Sequence, residues 1–125
     1  MTPFGRRVRE LREKRGITLA RMAAGLGVTP AYLSALEHGK RGRPTFSLIQ
    51  GVIHQLGVIW DEADELVRLA DLSHPRVTVD TAGLEAEATL FANRLAREIA
   101  ALDLADLRRL GAVLDEAAAR RDRPA

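Results

Sequence analysis

Apolar side chains recur every three or four positions along most of the chain, and this spacing predicts helices. Phe4, Val8 and Leu11 share one face of the first predicted helix, which begins after Thr2-Pro3 and ends at Gly16. Threonine favours the starts of the later helices and glycine favours their ends. Four more helices are predicted over 18–25, 29–38, 45–57 and from about 60. The inward side of the fourth is expected to hold Phe46, Ile49, Ile53 and Leu56.

The pattern changes after the fifth helix. His74-Pro75 disfavours helix, and residues 76–80 alternate like a short extended segment that has no partner strand. We expect a linker over 72–83, two helices over 84–119, the second beginning at Asp103, and a disordered tail over 120–125. The two helices carry an apolar stripe made of Leu84, Ala88, Phe91, Leu95, Ile99, Leu102, Leu107, Leu110 and Leu114.

Composition supports an all-α fold. Hydrophobic residues make up 46% of the 125 residues and aromatic residues only 4%, which favours alanine-rich helices over sheets. The expected architecture is a five-helix domain over 1–71 followed by a helical pair that dimerises over 84–119. The absence of Cys excludes disulfides and thiolate metal sites. Because neither a signal peptide nor a membrane span is expected, the default location is the cytoplasm.

The small net charge of +2 hides a division along the chain. Residues 1–57 hold ten Lys and Arg against three Asp and Glu, a net charge of +7. Residues 58–125 hold nine against fourteen, a net charge of −5. This asymmetry indicates that the first half binds an anion, with nucleic acid as the first candidate, and that the second half has a different task.

Residues 18–40 contain two predicted short helices joined by a glycine turn, the arrangement of a helix-turn-helix. This stretch resembles the DNA-binding core of the phage-repressor-like (Cro/repressor, XRE-type) family of transcriptional regulators, and the resemblance extends over residues 4 to about 70. It implies a lambda-repressor-like domain and a sequence-specific regulator of transcription, with repression as the simplest mechanism. The matching residues are Ala23 at the helix crossing, Gly27 in the turn, Leu33 and Leu36 as inward anchors, then Glu37 and Gly39.

In this family the second helix of the motif enters the major groove of DNA. The positions that often read bases hold Pro30, Ala31 and Ala35 here, and these side chains cannot form hydrogen bonds. We therefore expect specificity weighted toward apolar contacts and DNA shape. For Tyr32, packing on the domain surface is the alternative interpretation. The candidate base-reading residues are Ala31, Tyr32, Ser34, Ala35, His38 and Arg41.

Phosphate contacts are expected from basic side chains and from helix N-termini, where unpaired N–H groups attract anions. Leu19 stands where the family usually has a Gln that braces the recognition helix, so that hydrogen bond is absent. The resemblance also implies a structural pair between Arg12 and Glu37. Arg6, Arg7, Arg9 and Lys14 are weaker candidates for the basic surface. The main phosphate candidates are Thr18, Arg21, Lys40, Arg41, Arg43 and Thr45.

The sequence does not assemble an enzyme site. His38, His54 and His74 lie 16 and 20 residues apart and lack the spacing of metal ligands. Gly39-Lys40 lacks the first glycine of a phosphate-binding loop, where Ser34 stands. We therefore expect no catalytic residues, no metal and no cofactor.

The apolar stripe of the C-terminal helices must be covered by the fifth helix, by a second copy of the chain or by another protein, because a helical pair is not stable with that face in water. A homodimer is the first expectation, and it would place two recognition helices about 34 Å apart on an inverted-repeat operator. The alternative is an antitoxin or adaptor-type DNA-binding protein whose C-terminal helices bind a different protein. A small-molecule effector between the two helices also stays open, although no convergent polar residues favour it.

Overall fold

A computed structural model describes residues 1–123 and confirms the all-α prediction, since these residues contain helices and no strand. Residues 76–80, which alternate in polarity, accordingly form no strand. A 3-10 turn, Ile99–Ala101, lies between the last two helices. The helices are α1 (Pro3–Arg15), α2 (Leu19–Leu26), α3 (Pro30–Glu37), α4 (Phe46–Leu56), α5 (Asp61–Asp71), α6 (Ala86–Glu98) and α7 (Leu104–Arg121).

Threonine caps begin the first four helices. In each case the side-chain oxygen accepts a hydrogen bond from the backbone N–H three residues later, at 3.0 to 3.2 Å. Each bond satisfies one of the N–H groups that a helix start leaves unpaired, so these residues fix where the helices begin. The caps are Thr2, Thr18, Thr29 and Thr45.

One hydrophobic core holds the first compact unit, Met1–Thr78, together. Every one of its five helices contributes to this core, which is built almost entirely from aliphatic side chains. Helix α1 contacts α3, α4 and α5, and α2 contacts α3 and α4. The buried residues are Phe4, Val8, Leu11, Met22, Ala23, Leu33, Leu36, Ile49, Val52, Leu56, Val58, Leu66 and Ala70.

The prediction that Phe46 faces inward was wrong, because this side chain is 74% exposed. Phe46 is the first residue of α4. Side chains lean toward the N-terminus of their own helix, so one in the first turn projects past the helix end. Ile49 and Leu56 are buried as predicted, Ile53 is half-buried against the core, and Val52 is buried in addition.

The first unit extends past residue 71, where the domain was expected to end. Ser73 is buried, accepts a hydrogen bond from the Phe4 N–H at 2.9 Å and donates one to the Leu69 carbonyl at 2.5 Å. Pro3 has no N–H, so Phe4 carries the first free donor of α1, and the Ser73 hydroxyl satisfies it. The predicted linker over 72–83 therefore includes residues that belong to the first unit, which ends at Thr78.

The second unit, Val79–Ala125, contains α6 and α7. Asp103 caps α7 through reciprocal hydrogen bonds with Asp106, as the sequence predicted. None of the described residues of either helix is buried. Leu84 was expected in the sixth helix but lies before it, because the chain turns at 81–84 and Glu85 is the N-cap.

The end of α7 is Arg121, two residues beyond the predicted boundary at 119. The expected disordered tail over 120–125 therefore begins within the helix, and residues 124–125 lie outside the described part of the chain. None of the helices within residues 1–123 is both long enough and apolar enough to cross a membrane.

Candidate nucleic-acid interface

Helices α2 and α3 form a helix-turn-helix around residues 27–29. Gly27 adopts a left-handed conformation, with φ of 72°, that suits a residue without a side chain. The Val28 N–H then donates to the Ala23 carbonyl at 3.0 Å and closes the end of α2. Ala23 itself is fully buried, and its short side chain allows α2 and α3 to pack closely.

The buried side of α3 is formed by Leu33 and Leu36, which leaves the remaining surface of this helix accessible. Pro30, Ala31 and His38 are exposed. The side chains of Tyr32, Ser34 and Ala35 are half-buried. His38 directs its Nδ1 toward the Ser34 carbonyl at 2.8 Å, so only the other ring nitrogen is available to a ligand.

Tyr32 and Arg41 contact each other. The guanidinium carbon of Arg41 lies 5.3 Å from the centre of the Tyr32 ring, within the range of a cation–π interaction. Thr29 holds the backbone of Tyr32 through its cap bond. The sequence identified the two residues separately but gave no signal that they meet, since nine positions separate them. Their contact joins the recognition helix to the basic loop that follows it.

A groove of about 390 Å³ runs between the helix-turn-helix and the start of α4. Tyr32 lines it from α3, and Thr45 and Ser47 line it from the N-terminus of α4. Gly25 and Gly51 also border the groove and contribute no side chain. A groove at a helix N-terminus, where backbone N–H groups are unpaired, suits a phosphate group.

Gln55 supports α2 in a way that sequence reasoning missed. Its Nε2 donates to the Met22 carbonyl at 3.2 Å and so ties α4 to α2. A Cβ at Gly25 would collide with the Gln55 Nε2, so a side chain there would displace the Gln55 amide from this position. Leu19 cannot supply the brace that is usual in the resembled family, and Gln55 provides a different one.

The predicted phosphate residues fall into two groups. Arg21, Lys40 and Arg41 are exposed and form no ion pair within residues 1–123. Arg43 instead bonds to Asp71, with its Nε 3.1 Å from Oδ1, and to the Pro44 carbonyl at 2.9 Å. A phosphate bound to Arg43 would have to share it with Asp71.

Arg12 and Glu37 form an ion pair in the interior, with exposed fractions of only 6% and 4%. Nη2 alone contacts both carboxylate oxygens, at 3.3 and 3.4 Å, so the contact differs from a fork of two guanidinium nitrogens. Nη1 donates to the Ile17 carbonyl, and Nε has no hydrogen-bond partner among residues 1–123. The Glu37 backbone carbonyl accepts hydrogen bonds from Thr2. The pair thus connects α1 with the end of the recognition helix.

Among the weaker basic candidates, Arg7 and Arg9 are already paired. Arg7 donates through Nε to Glu65 at 2.6 Å, and this hydrogen bond raises the pKa of Arg7 above its usual value. Arg9 contacts Glu13 at 3.3 Å. Arg6 and Lys14 are exposed. The acidic residues at the start of α5 therefore neutralise part of the positive charge of α1.

Comparisons with known proteins agree with this geometry. A family model described as a helix-turn-helix domain matches residues 3–73. The chain is 38% identical over 61 residues to the uncharacterized HTH-type transcriptional regulator RghRB of Bacillus subtilis, covering 49% of this chain and 44% of that protein. It is 36% identical over 61 residues to the HTH-type transcriptional repressor RghR of the same organism, covering 49% and 45%.

The matched stretch is thus less than half the length of each relative. No solved structure matches the chain significantly. The family match covers more than half of the chain and ends at Ser73, the residue that anchors the end of α5 to the start of α1. The resemblance to XRE-type regulators is confirmed, and the chain belongs to the helix-turn-helix domain family.

Proposed function

We propose that this protein is a sequence-specific, double-stranded DNA-binding regulator of transcription that acts as a repressor in the bacterial cytoplasm, at the nucleoid. The observation that carries the proposal is the accessible face of α3 together with exposed cations that precede and follow it in the chain. These cations form no ion pair within residues 1–123, and they are Arg21, Lys40 and Arg41. The relative RghR is named a transcriptional repressor, which supports repression as the direction of regulation. The role requires no chemical step, so we propose no enzymatic activity.

Base recognition is proposed for the accessible residues of α3 and the loop after it. Ala31 and Ala35 offer methyl groups that contact thymine methyls. Tyr32 and Arg41 present a stacked pair whose guanidinium retains its N–H groups for base edges or a narrow minor groove. Ser34 and His38 supply the remaining polar groups. Because few of these side chains form two-point hydrogen bonds, DNA shape contributes much of the specificity.

Phosphate contacts are proposed at two helix starts and at three exposed cations. Thr18 and Thr45 cap α2 and α4, and the unpaired N–H groups of these two helix starts are the proposed contacts to the DNA backbone. Arg21, Lys40 and Arg41 add positive charge. Arg43 can contact a phosphate only when its ion pair with Asp71 is broken or shared.

A homodimer on an inverted-repeat operator is proposed for the complete regulator. The second unit buries none of the described residues of α6 and α7, and exposed apolar side chains extend along both helices. Between them lies a groove of about 230 Å³ lined mainly by Phe91, Leu95, Leu102 and Leu110. Arg94 and Glu98 also line it and pair with each other at 2.6 Å. A groove of this character suits an apolar side chain from a second copy.

The proposal is tested by selecting duplexes from a random library with the purified full chain and then measuring affinity against salt. We expect an inverted repeat with half-sites about one helical turn apart. If a dimer neutralises roughly 6 to 10 phosphates, affinity should fall by about 10³-fold or more between 50 and 200 mM salt. Failure to bind any duplex at low salt, with the fold intact by circular dichroism, would overturn the proposed function.

A further inference from the structure

A second basic groove lies beside the loop that follows the recognition helix. Its volume is about 450 Å³, and its lining residues are Gly39, Lys40, Gly42, Pro75 and Arg76. Lys40 and Arg76 are exposed, and neither forms an ion pair within residues 1–123. No carboxylate belongs to the lining. Two free cations that border one groove without a neutralising acid form a site for an anion.

The groove is held in shape from several sides. Ser73 fixes the end of α5 against α1 through its bond to the Phe4 N–H. Pro75 approaches the loop closely, since a Cβ built on Gly39 would lie 3.7 Å from the Pro75 Cβ. Arg43 is bound to Asp71 and so attaches the far end of the loop to α5. These contacts hold residues 39–42 next to residues 75–76, although about 35 positions separate the two segments in the chain.

One of the two loop glycines leaves the groove accessible to a bulky anion. Gly39 and Gly42 have φ values of 79° and 77°, a conformation that side chains rarely adopt. A Cβ built on Gly39 would meet Thr2 at 2.9 Å, so this glycine allows the loop to pack against the start of α1. The space in front of Gly42 is open, and an anion can approach the loop backbone there. The Asp71 carboxylate, which would otherwise oppose an anion, is occupied by Arg43.

We infer that Lys40 and Arg76 together hold a phosphate of the DNA backbone, so that the segment after α5 contributes to DNA binding. The inference rests on the proposed function and adds to it a residue that the sequence had assigned to the linker. Lys40 directly precedes Arg41, whose side chain stacks on Tyr32 of the recognition helix. A duplex that contacts Tyr32 and Arg41 thus brings its backbone to this loop, where Arg76 supplies a second cation.

The test measures binding of the full chain to a labelled, mixed-sequence duplex over a series of salt concentrations. Log affinity falls with log salt concentration, and Arg76→Ala should make this slope less steep by about 1 for each groove that holds a DNA phosphate. Binding at one low salt concentration should weaken by up to about 5-fold, the range of an exposed charge contact. Arg76→Lys retains the charge and should keep the wild-type salt slope.

Arg68→Ala is the matched control, because Arg68 is an exposed arginine of the same unit that does not line the groove. If Arg76→Ala and Arg68→Ala give the same slope as the wild type, the inference is overturned while the proposed function stands. If the wild type does not bind duplexes either, the proposed function itself is overturned. Arg76 is exposed and outside the helices, so its removal leaves the fold intact, and thermal unfolding checks this.

Inorganic phosphate separates a DNA backbone site from a site for a free anion. Without DNA, millimolar phosphate should raise the Tm of the wild type no more than sodium chloride of equal ionic strength does. A rise that is specific to phosphate and absent in Arg76→Ala would assign the groove to a free phosphate-bearing ligand and overturn the assignment to DNA.

Discussion

The ion pair between Arg12 and Glu37 is the clearest case in which single residues control the stability of the interface. Both side chains are almost completely buried, and the pair connects α1 to the last residue of the recognition helix. Removing one partner leaves a charge without compensation in a region that excludes water. Removing one partner of a buried ion pair lowers the free energy of unfolding by about 3–5 kcal/mol, which is much more than an exposed ion pair contributes to it.

We therefore expect Glu37→Ala to lower the free energy of unfolding by about 3–5 kcal/mol. The measurement is urea unfolding followed by circular dichroism. The double variant Arg12→Leu with Glu37→Leu is the control, since it removes both charges and should lose less than Glu37→Ala alone. A loss of under about 1 kcal/mol for Glu37→Ala would place the pair in the class of exposed ion pairs instead.

The contact between Tyr32 and Arg41 indicates a specific functional role for Tyr32. Tyr32→Ala removes both the ring that supports Arg41 and a candidate base contact. We expect it to relax the preference of the protein for its selected site, measured as a flatter profile in a repeated library selection. Tyr32→Phe retains the ring and should keep most of the preference. An unchanged profile and affinity in Tyr32→Ala would assign the ring to surface packing.

The sequence predicted whether single side chains are exposed or buried, but it did not predict hydrogen-bond partners that are distant in the chain. The exposure of Lys40 and the burial of Leu33 follow from local pattern. The partners of Arg43 and Gln55 do not, because Asp71 and Met22 lie 28 and 33 positions away. Only the packing of α4 and α5 brings these residues together.

The start of helix α1 is stabilised by a contact with a residue that is distant in the chain. Its first free N–H, that of Phe4, is buried and bonds to the Ser73 hydroxyl. Ser73→Ala leaves this donor without a partner. We expect a loss of about 1–3 kcal/mol in the free energy of unfolding. Ser47→Ala, at an exposed serine of α4, is the control and should change stability little. Equal stabilities of the two variants would contradict the anchoring role of Ser73.

Close approach between α1 and α3 depends on Gly5. A Cβ at this position would collide with the carbonyl of Glu37 and lie 2.7 Å from its Cα. Backbone cannot yield as a flexible side chain does, so Gly5→Ala must separate the two helices. We expect a loss of about 1–3 kcal/mol, measured by the shift of the urea midpoint.

A helical glycine with free space around it provides the comparison for Gly5. A Cβ at Gly111 of α7 would meet nothing within 4 Å. Gly111→Ala should therefore not destabilise the protein, because alanine is the better helix former. If Gly5→Ala were equally harmless, the contact between α1 and α3 would be looser than the structure indicates.

Element boundaries were largely predictable because threonine caps and glycine stops are local signals. Trp60 shows the limit of this reasoning. Trp60 is 80% exposed and has a φ of 54° and a ψ of −122°, which a bulky side chain rarely adopts. It precedes α5 without a side-chain cap. No local pattern in the sequence specifies this conformation.

At the scale of the whole molecule, the division of charge predicted two parts with different tasks. The basic half contains the helix-turn-helix, and the C-terminal part exposes apolar helices. The sequence could identify this apolar stripe but not what covers it, since a stripe is equally suited to a second copy or to another protein. Mass in solution distinguishes these two cases.

Leu114→Glu tests the homodimer because Leu114 is 71% exposed within one chain. A lone chain should therefore tolerate the substitution, whereas a dimer would have to bury the new charge. We expect the wild type to have the mass of a dimer and the variant that of a monomer, by light scattering. Leu72→Glu, at a side chain that is 70% exposed in the first unit, is the control and should stay dimeric.

Loss of the dimer should also reduce DNA binding, although Leu114 lies outside the DNA-binding unit. Two linked recognition helices convert the second half-site contact into an intramolecular event, which strengthens binding by about 10²-fold or more. Leu114→Glu should therefore lose this factor on a complete inverted repeat but bind an isolated half-site as the wild type does. Equal losses on both duplexes would indicate a damaged fold. A wild-type chain that is monomeric alone would instead favour the adaptor, whose helices are completed by a different protein.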